Sequence, residues 1–173
     1  LYTYVPSGYG RFGNAMLASV SDEAVFAPTS TLIRRWTTGA WGSTYIPDNP
    51  LSNLYKGIRL TYVYRDDIHP YIEEKIMKDE GRQALYAQVL FIRALLNFEI
   101  LKRYGGYPIA LKAFKNPEET HIARSNFDEC VEYITSLCDS SSVHLPLSLT
   151  DANIGRATKG AALSLKSRLL LYA

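Results

Sequence analysis

Leu90-Phe91-Ile92-Arg93-Ala94-Leu95-Leu96-Asn97-Phe98-Glu99 runs on through Ile100-Leu101-Lys102-Arg103 into Tyr104-Gly105-Gly106-Tyr107-Pro108, and this stretch decides the fold. Its apolar spacing predicts a helix from about Gln83 to Tyr104. Leu85, Val89, Ile92 and Leu96 form one stripe, and Phe91, Leu95, Phe98 and Leu101 form another. Two stripes predict burial on more than one side, which leaves Arg93, Asn97 and Lys102 for the solvent face. Glycine just past the last turn supplies a left-handed cap, and Pro108 cannot continue a helix.

Working outward, three more segments carry a helical period. Leu51, Leu54, Tyr55, Ile58 and Tyr62 recur at three- and four-residue spacing up to His69-Pro70. A third helix starts at Ser125 as N-cap, with Phe127, Cys130, Val131, Ile134, Leu137 and Cys138 on one face. A fourth starts at Thr158; Gly160, Ala161, Ala162, Ser164 and Ser167 keep it small-sided, so that a neighbour can approach closely. Shorter helices are predicted over Pro70 to Lys78, with Pro in the first turn, and over Asn14 to Ser21. Asn116 to Arg124 and Ser140 to Asn153 read as polar loops, and Thr29 to Pro50 as a long segment without a period. The fold class is therefore all-α. Helix starts near 52, 82, 126 and 158 put two gaps close to the helical-hairpin period of TPR units, although the consensus residues of that repeat are not clearly present.

The 173 residues are 47% hydrophobic and 21% charged, values of an ordinary globular chain large enough for a real core. A net charge of +2, from 19 basic and 17 acidic residues without a long basic run, gives nucleic-acid binding no electrostatic support. Tyrosine is abundant, at 13 against 6 Phe and 2 Trp; its apolar face and hydroxyl suit both helical cores and sugar-binding surfaces. No apolar run approaches the ~20 residues that span a bilayer. The chain opens on Leu1-Tyr2-Thr3-Tyr4-Val5 without a Met and closes on Leu169-Leu170-Leu171-Tyr172-Ala173 inside an apolar pattern, so both ends read as cuts in a longer protein. Cys130 and Cys138 would lie roughly 12 Å apart along one helix, beyond disulfide reach, and read as buried small apolar residues.

Signals for catalysis are weak. Gly8-Tyr9-Gly10-Arg11-Phe12-Gly13 spells a dinucleotide fingerprint, but Pro6-Ser7 interrupts the strand-to-turn passage and no acidic residue follows about 20 positions on. Asp22-Glu23, Asp66-Asp67, Glu73-Glu74 and Glu118-Glu119 are adjacent pairs, whereas glycosidases need carboxylates facing each other about 5 to 9 Å apart. His69, His121 and His144 lack ligand spacing, and no cysteine sits in an electropositive context. No catalytic residue, metal ligand or cofactor is expected.

The two tryptophans offer something more specific. Trp36 and Trp41 both fall in the irregular segment, beside Arg34, Arg35, Tyr45, Asp48 and Asn49. Loops usually run on the surface. An indole there stacks on the C–H face of a sugar while Asn, Asp and Arg bond its hydroxyls. The bland alternative is that the rings plug the loop onto the helices beneath. The candidate ligand-binding set is Trp41, Trp36, Tyr45, Asp48, Asn49 and Arg35.

The motif F-x-R-A-x-x-x-F-x-x-x-x-x-Y-G-G-x-P resembles the centre of the SusD/RagB family, surface lipoproteins of Bacteroidetes-type bacteria that capture nutrients. Ala15 to Ala24, with Ser19 and Asp22-Glu23-Ala24, and Gly155 to Ala162 resemble two further blocks, in the family's order. Trp41, Pro47-Asp48-Asn49 and Tyr55-Lys56-Gly57-Ile58-Arg59 follow the family as well. Departures are Leu51, where an aromatic is common, and Thr61-Tyr62 in place of Ala-Asn. The resemblance implies TPR-like helical hairpins with long irregular loops, and residues 1–173 as a single SusD-like helical domain cut at both ends. It implies non-catalytic capture of an oligosaccharide or similar nutrient through loop aromatics, for delivery to a SusC-like TonB-dependent outer-membrane channel. It also implies a surface-exposed protein of the outer membrane, held by a lipid anchor outside this stretch. Arg93 with Glu99, and Arg156 with Lys159, read as structural motif residues. A TPR-like scaffold binding a protein without a small ligand is the rival reading, and a helical glycosidase the third.

Overall fold

A computed structural model describes residues 1–6, 15–27, 33–43, 48–71 and 80–173. Among them the chain is all-α without a β-sheet, Ala15 and Gly42 being isolated bridge residues. The helices are α1 (Ile33–Thr37), α2 (Leu51–Val63), α3 (Glu80–Tyr104), α4 (Phe127–His144) and α5 (Lys159–Leu170). A π-helical turn, Tyr64–Ile68, prolongs α2, and 3-10 turns lie at Tyr2–Tyr4, Leu17–Val20, Pro117–Thr120 and Asp151–Asn153. The chain divides into two compact units: Val5–Ser52, and Leu1–Tyr4 together with Asn53–Ala173.

In the larger unit α3 is the axis. It packs on α4, which packs on α5, and α3 also touches α5. Ala87, Val89, Ile92, Ala94, Leu96, Phe98, Ile100 and Leu101 are all buried, so both predicted stripes meet protein. Contrary to the sequence expectation, part of this helix, Gly81–Tyr104, is long and apolar enough by length and composition to cross a membrane. Most of that window is buried inside the protein, as in a core helix. Gly57 lets α2 approach: a Cβ there would lie 2.7 Å from Leu96 Cδ1 and 2.9 Å from Tyr4 Cβ. Tyr2 ties the chain start to this unit, its hydroxyl donating to Gln88 Oε1 at 3.0 Å and accepting from the Ala157 amide at 2.8 Å.

Arg93, Asn97 and Lys102, assigned to the solvent face by the spacing, are not on a wet face. Arg93 and Asn97 are buried, at 4% and 1% exposure, and Lys102 is half-buried against the Glu99 carboxylate. Arg93 Nε donates to Thr61 Oγ1 at 2.8 Å, and Nη2 to the Thr61 carbonyl at 3.0 Å. Its guanidinium lies 3.8 Å from the centroid of the Tyr62 ring. The Tyr107 hydroxyl donates to Asn97 Oδ1 at 2.8 Å, while Asn97 Nδ2 bonds the Arg93 carbonyl. Buried polar groups need such partners, and these come from α2 and from the chain beyond the glycine pair.

Helix ends follow local chemistry. Gly105 has φ +68, the left-handed cap expected, and its amide bonds the Leu101 carbonyl. α4 is capped by Asn126 rather than Ser125: Asn126 Oδ1 accepts from the Glu129 amide at 2.7 Å, and Glu129 Oε2 accepts from the Asn126 amide at 3.0 Å. α4 also runs on to His144, through the first part of the predicted loop Ser140–Asn153. Its serines point hydroxyls at carbonyls of the preceding turn, as Ser141 does to Cys138 at 2.9 Å. Thr158 caps α5 as predicted, accepting from the Ala161 amide at 3.3 Å. The predicted helix over Asn14 to Ser21 reduces to the 3-10 turn Leu17–Val20, where the Ser21 hydroxyl takes the Ala18 carbonyl. Pro70 and Tyr71 are helical, and the rest of the helix predicted to Lys78 lies outside the described residues.

Buried phenols give this unit an alkaline limit. Burial, with Cys130 adding to it, pushes the Tyr55 hydroxyl from 10.0 up to about 12 while it donates to the Pro108 carbonyl at 2.8 Å. Burial also raises Tyr107 and Tyr133. A folded-state value above the unfolded one means stability that is complete below about pH 10 and lost as the pH climbs through 12. The urea midpoint is therefore expected to fall steeply across that window, and Tyr55→Phe to shallow the fall. A midpoint flat from pH 9.5 to 12 would contradict it.

Candidate functional site

The smaller unit carries the candidate site. Ile33 on α1 is buried at 2% and packs with Ala15; Val20, Phe26 and Trp36 close the cluster. The segment expected to be irregular thus contains a short helix. Ile33 and Trp36, three positions apart, share its inner face. α1 stops because the Thr37 and Thr38 hydroxyls both donate to the Arg34 carbonyl, at 3.2 and 2.6 Å. Gly39 then adopts φ +68, with its amide on the Trp36 carbonyl at 3.3 Å. That left-handed step reverses the chain and brings Trp41 back onto Trp36. The indole centroids lie 5.7 Å apart with planes tilted by 42°.

The two rings differ in exposure. Trp36 is half-buried on the apolar cluster, whereas Trp41 is 53% exposed. Arg35 and Asn49 are exposed and Asp48 is half-buried. Tyr45 lies outside the described residues, as does Gly8-Tyr9-Gly10-Arg11-Phe12-Gly13. The structure thus joins Trp36 to Trp41. Neither α1 nor its stop at Gly39 was read from the sequence, and the supports Val20 and Phe26 carry no sequence signal that pairs them with an indole.

Two residues of the adjacent acidic pairs are held in ion pairs. Arg65 bonds Asp66 through Nε and Nη2, at 2.6 and 3.1 Å, which holds that carboxyl below its ordinary value. Lys112, 2.9 Å from Glu119, does the same there. Asp22, Glu23, Asp67 and Glu118 are exposed, and Glu73-Glu74 lie outside the described residues. Burial raises the thiols of Cys130 and Cys138, the latter to about 11, so both stay protonated at neutral pH. Among the described residues no three His, Cys, Asp or Glu side chains gather as a metal site.

Residues 12–171 match the SusD-like family described as "Starch-binding associating with outer membrane". The chain belongs to the SusD-like family. A SusD-like protein from Bacteroides fragilis NCTC 9343 is 32% identical, over 70% of this chain and 23% of its own, with a TM-score of 0.64. A SusD homologue from Bacteroides thetaiotaomicron VPI-5482 shares the fold at 21% identity and TM-score 0.68, over 79% of this chain and 27% of that one. A laminarin-binding SusD-like protein does so at 20% identity and TM-score 0.72, over 84% and 31%. No curated protein matches the chain. The chain spans about a quarter of the length of the solved SusD-like structures it matches.

Proposed function

We propose that this chain is the part of a SusD-like protein that contacts an oligosaccharide or similar nutrient at the bacterial surface, without catalysis, for delivery to a SusC-like TonB-dependent channel. The observation that carries it is the exposed Trp41 ring set against Trp36 within a chain of this family. An indole face turned to water stacks on the axial C–H groups of a pyranose. Arg35, Asp48, Asn49 and Tyr45 would supply hydrogen bonds to its hydroxyls. Starch and laminarin, the glucans named for the matching family and for one similar structure, are the first candidates. In this reading α2 to α5 form TPR-like hairpins that carry the loop. In the same reading the whole protein sits at the outer membrane through a lipid anchor outside these 173 residues.

Titration with starch and laminarin oligosaccharides is expected to quench tryptophan fluorescence. Trp41→Ala is expected to weaken binding about tenfold or more, the scale of one stacked ring. If neither glucan perturbs either indole, capture of these sugars at this loop is wrong.

A second reading, a TPR-like scaffold for a protein partner, draws on the aliphatic residues exposed on the other unit: Val143, Leu147, Ile154, Leu163 and Leu170. Pull-down of a partner that survives Trp41→Ala and fails on Leu163→Glu would favour it.

A further inference from the structure

We infer that the two indoles have different jobs: Trp41 touches the ligand, and Trp36 is a positioning residue that fixes the Trp41 ring. The inference deepens the glycan-binding reading of the same loop and rests on it for the word ligand. Three observations carry it. Trp36 stands on the buried pair Ala15 and Ile33, with Val20 and Phe26 beside it, so one part of its surface is taken up by the unit's own core. Another part faces Trp41 at a centroid distance of 5.7 Å. Trp41 instead lies on a stretch, Gly39 to Ser43, that is exposed at every residue.

Trp41 thus stands on a solvent-exposed stretch that opens on Gly39, with the Trp36 ring beside it. An exposed ring free to change rotamer loses that freedom when a sugar stacks on it, and the loss subtracts from affinity. Trp36 removes the loss in advance by holding the ring in the free protein. The 42° tilt adds a geometric point: one flat sugar face cannot lie parallel to both rings. A single pyranose therefore lies on Trp41 alone, with Trp36 behind it.

The test uses chains with Trp41 as sole tryptophan. Time-resolved fluorescence anisotropy reads the local rotation of that ring without any ligand. In Trp36→Phe an aromatic neighbour remains, and the fast local component is expected to stay small. In Trp36→Leu the cluster stays apolar but the ring contact goes, and that component is expected to grow at least twofold; Trp36→Ala repeats the comparison if its far-ultraviolet circular dichroism is unchanged. Equal local rotation in the Phe and Leu variants would overturn the positioning role.

Isothermal titration with starch and laminarin oligosaccharides is the second arm. Trp36→Phe is expected to keep the affinity within about twofold, and Trp36→Leu to lose about tenfold, the scale of one aromatic pair. A tenfold loss in Trp36→Phe while Trp41 stays ordered would mean that Trp36 itself touches sugar, and would overturn the division. Should no oligosaccharide bind any form, the glucan reading fails, and the anisotropy comparison alone decides whether Trp36 holds Trp41.

Discussion

Gly106→Ala destabilises the larger unit by about 3 kcal/mol, the upper part of the range for forcing atoms into a filled site. A Cβ on Gly106 would run into the Ser125 carbonyl oxygen and lie 3.0 Å from the Asn126 carbonyl carbon and 3.2 Å from the Phe127 amide nitrogen. All three obstacles are backbone, so no rotamer change relieves them. The obstructing strand of chain is also held: the Ser125 amide bonds the Tyr107 carbonyl at 3.2 Å, and Asn126 caps α4. Arg124 straps the two segments together, with Nε on the Gly106 carbonyl and Nη2 on the Tyr104 carbonyl, both at 2.5 Å. Gly105 is the control. Its φ of +68 disfavours a side chain, but a Cβ there would meet only Arg124 Nη2, at 3.6 Å. Gly105→Ala should therefore cost about 1 to 2 kcal/mol, the left-handed penalty alone. Denaturant midpoints of the two variants measure the order, and a larger loss at Gly105 would show that the close approach at Gly106 is soft.

These glycines also mark how far the sequence could be read. The Gly-Gly-x-Pro stop told where α3 ends, because a left-handed cap is a local requirement visible in local residues. It could not tell that the second glycine serves a contact with chain 19 residues further on. The same division runs through the helices. Thr158 was readable as a cap, and Asn126 with Glu129 three positions later spells a capping box that the neighbouring Ser125 obscures. Arg93 and Asn97 were misassigned to solvent because periodicity sorts residues by polarity. Their partners, Thr61, Tyr62 and Tyr107, sit on other segments and have no fixed spacing from α3. In the smaller unit, the missing period put both tryptophans on an irregular segment, whereas Trp36 stands on α1. That Gly39 folds one ring onto the other is a matter of φ, and the sequence shows only that a glycine is available.

Arg93→Ala is the other large loss, about 3 kcal/mol, and it tests what the family departure Thr61-Tyr62 does. Both residues attend Arg93: Thr61 gives a hydroxyl and a carbonyl as acceptors, and Tyr62 gives its ring. Tyr62 in turn shares a 2.8 Å hydrogen bond with Tyr133 on α4, so the guanidinium sits where α2, α3 and α4 meet. Truncation removes two charge-assisted hydrogen bonds, a cation–π contact and a volume that a packed core refills poorly. Against these stands relief from holding a charge out of water, a cost of several kcal/mol in its own right. The balance shifts with the replacement. Methionine fills most of the volume and removes the charge. The Thr61 hydroxyl keeps a partner, since it donates to the Ile58 carbonyl at 2.6 Å, and only its acceptance from Arg93 is lost. The Thr61 carbonyl loses its bond from Nη2, a cost of about 1 kcal/mol. Arg93→Met should therefore be milder than Arg93→Ala. Arg93→Lys should be as harmful as Ala, because an ammonium keeps the buried charge and cannot reach both Thr61 oxygens while lying flat on Tyr62. Urea unfolding of the three variants ranks them. If Lys proves mildest, charge at this junction matters more than shape, and volume with planar recognition is the wrong account of why α2, α3 and α4 meet here.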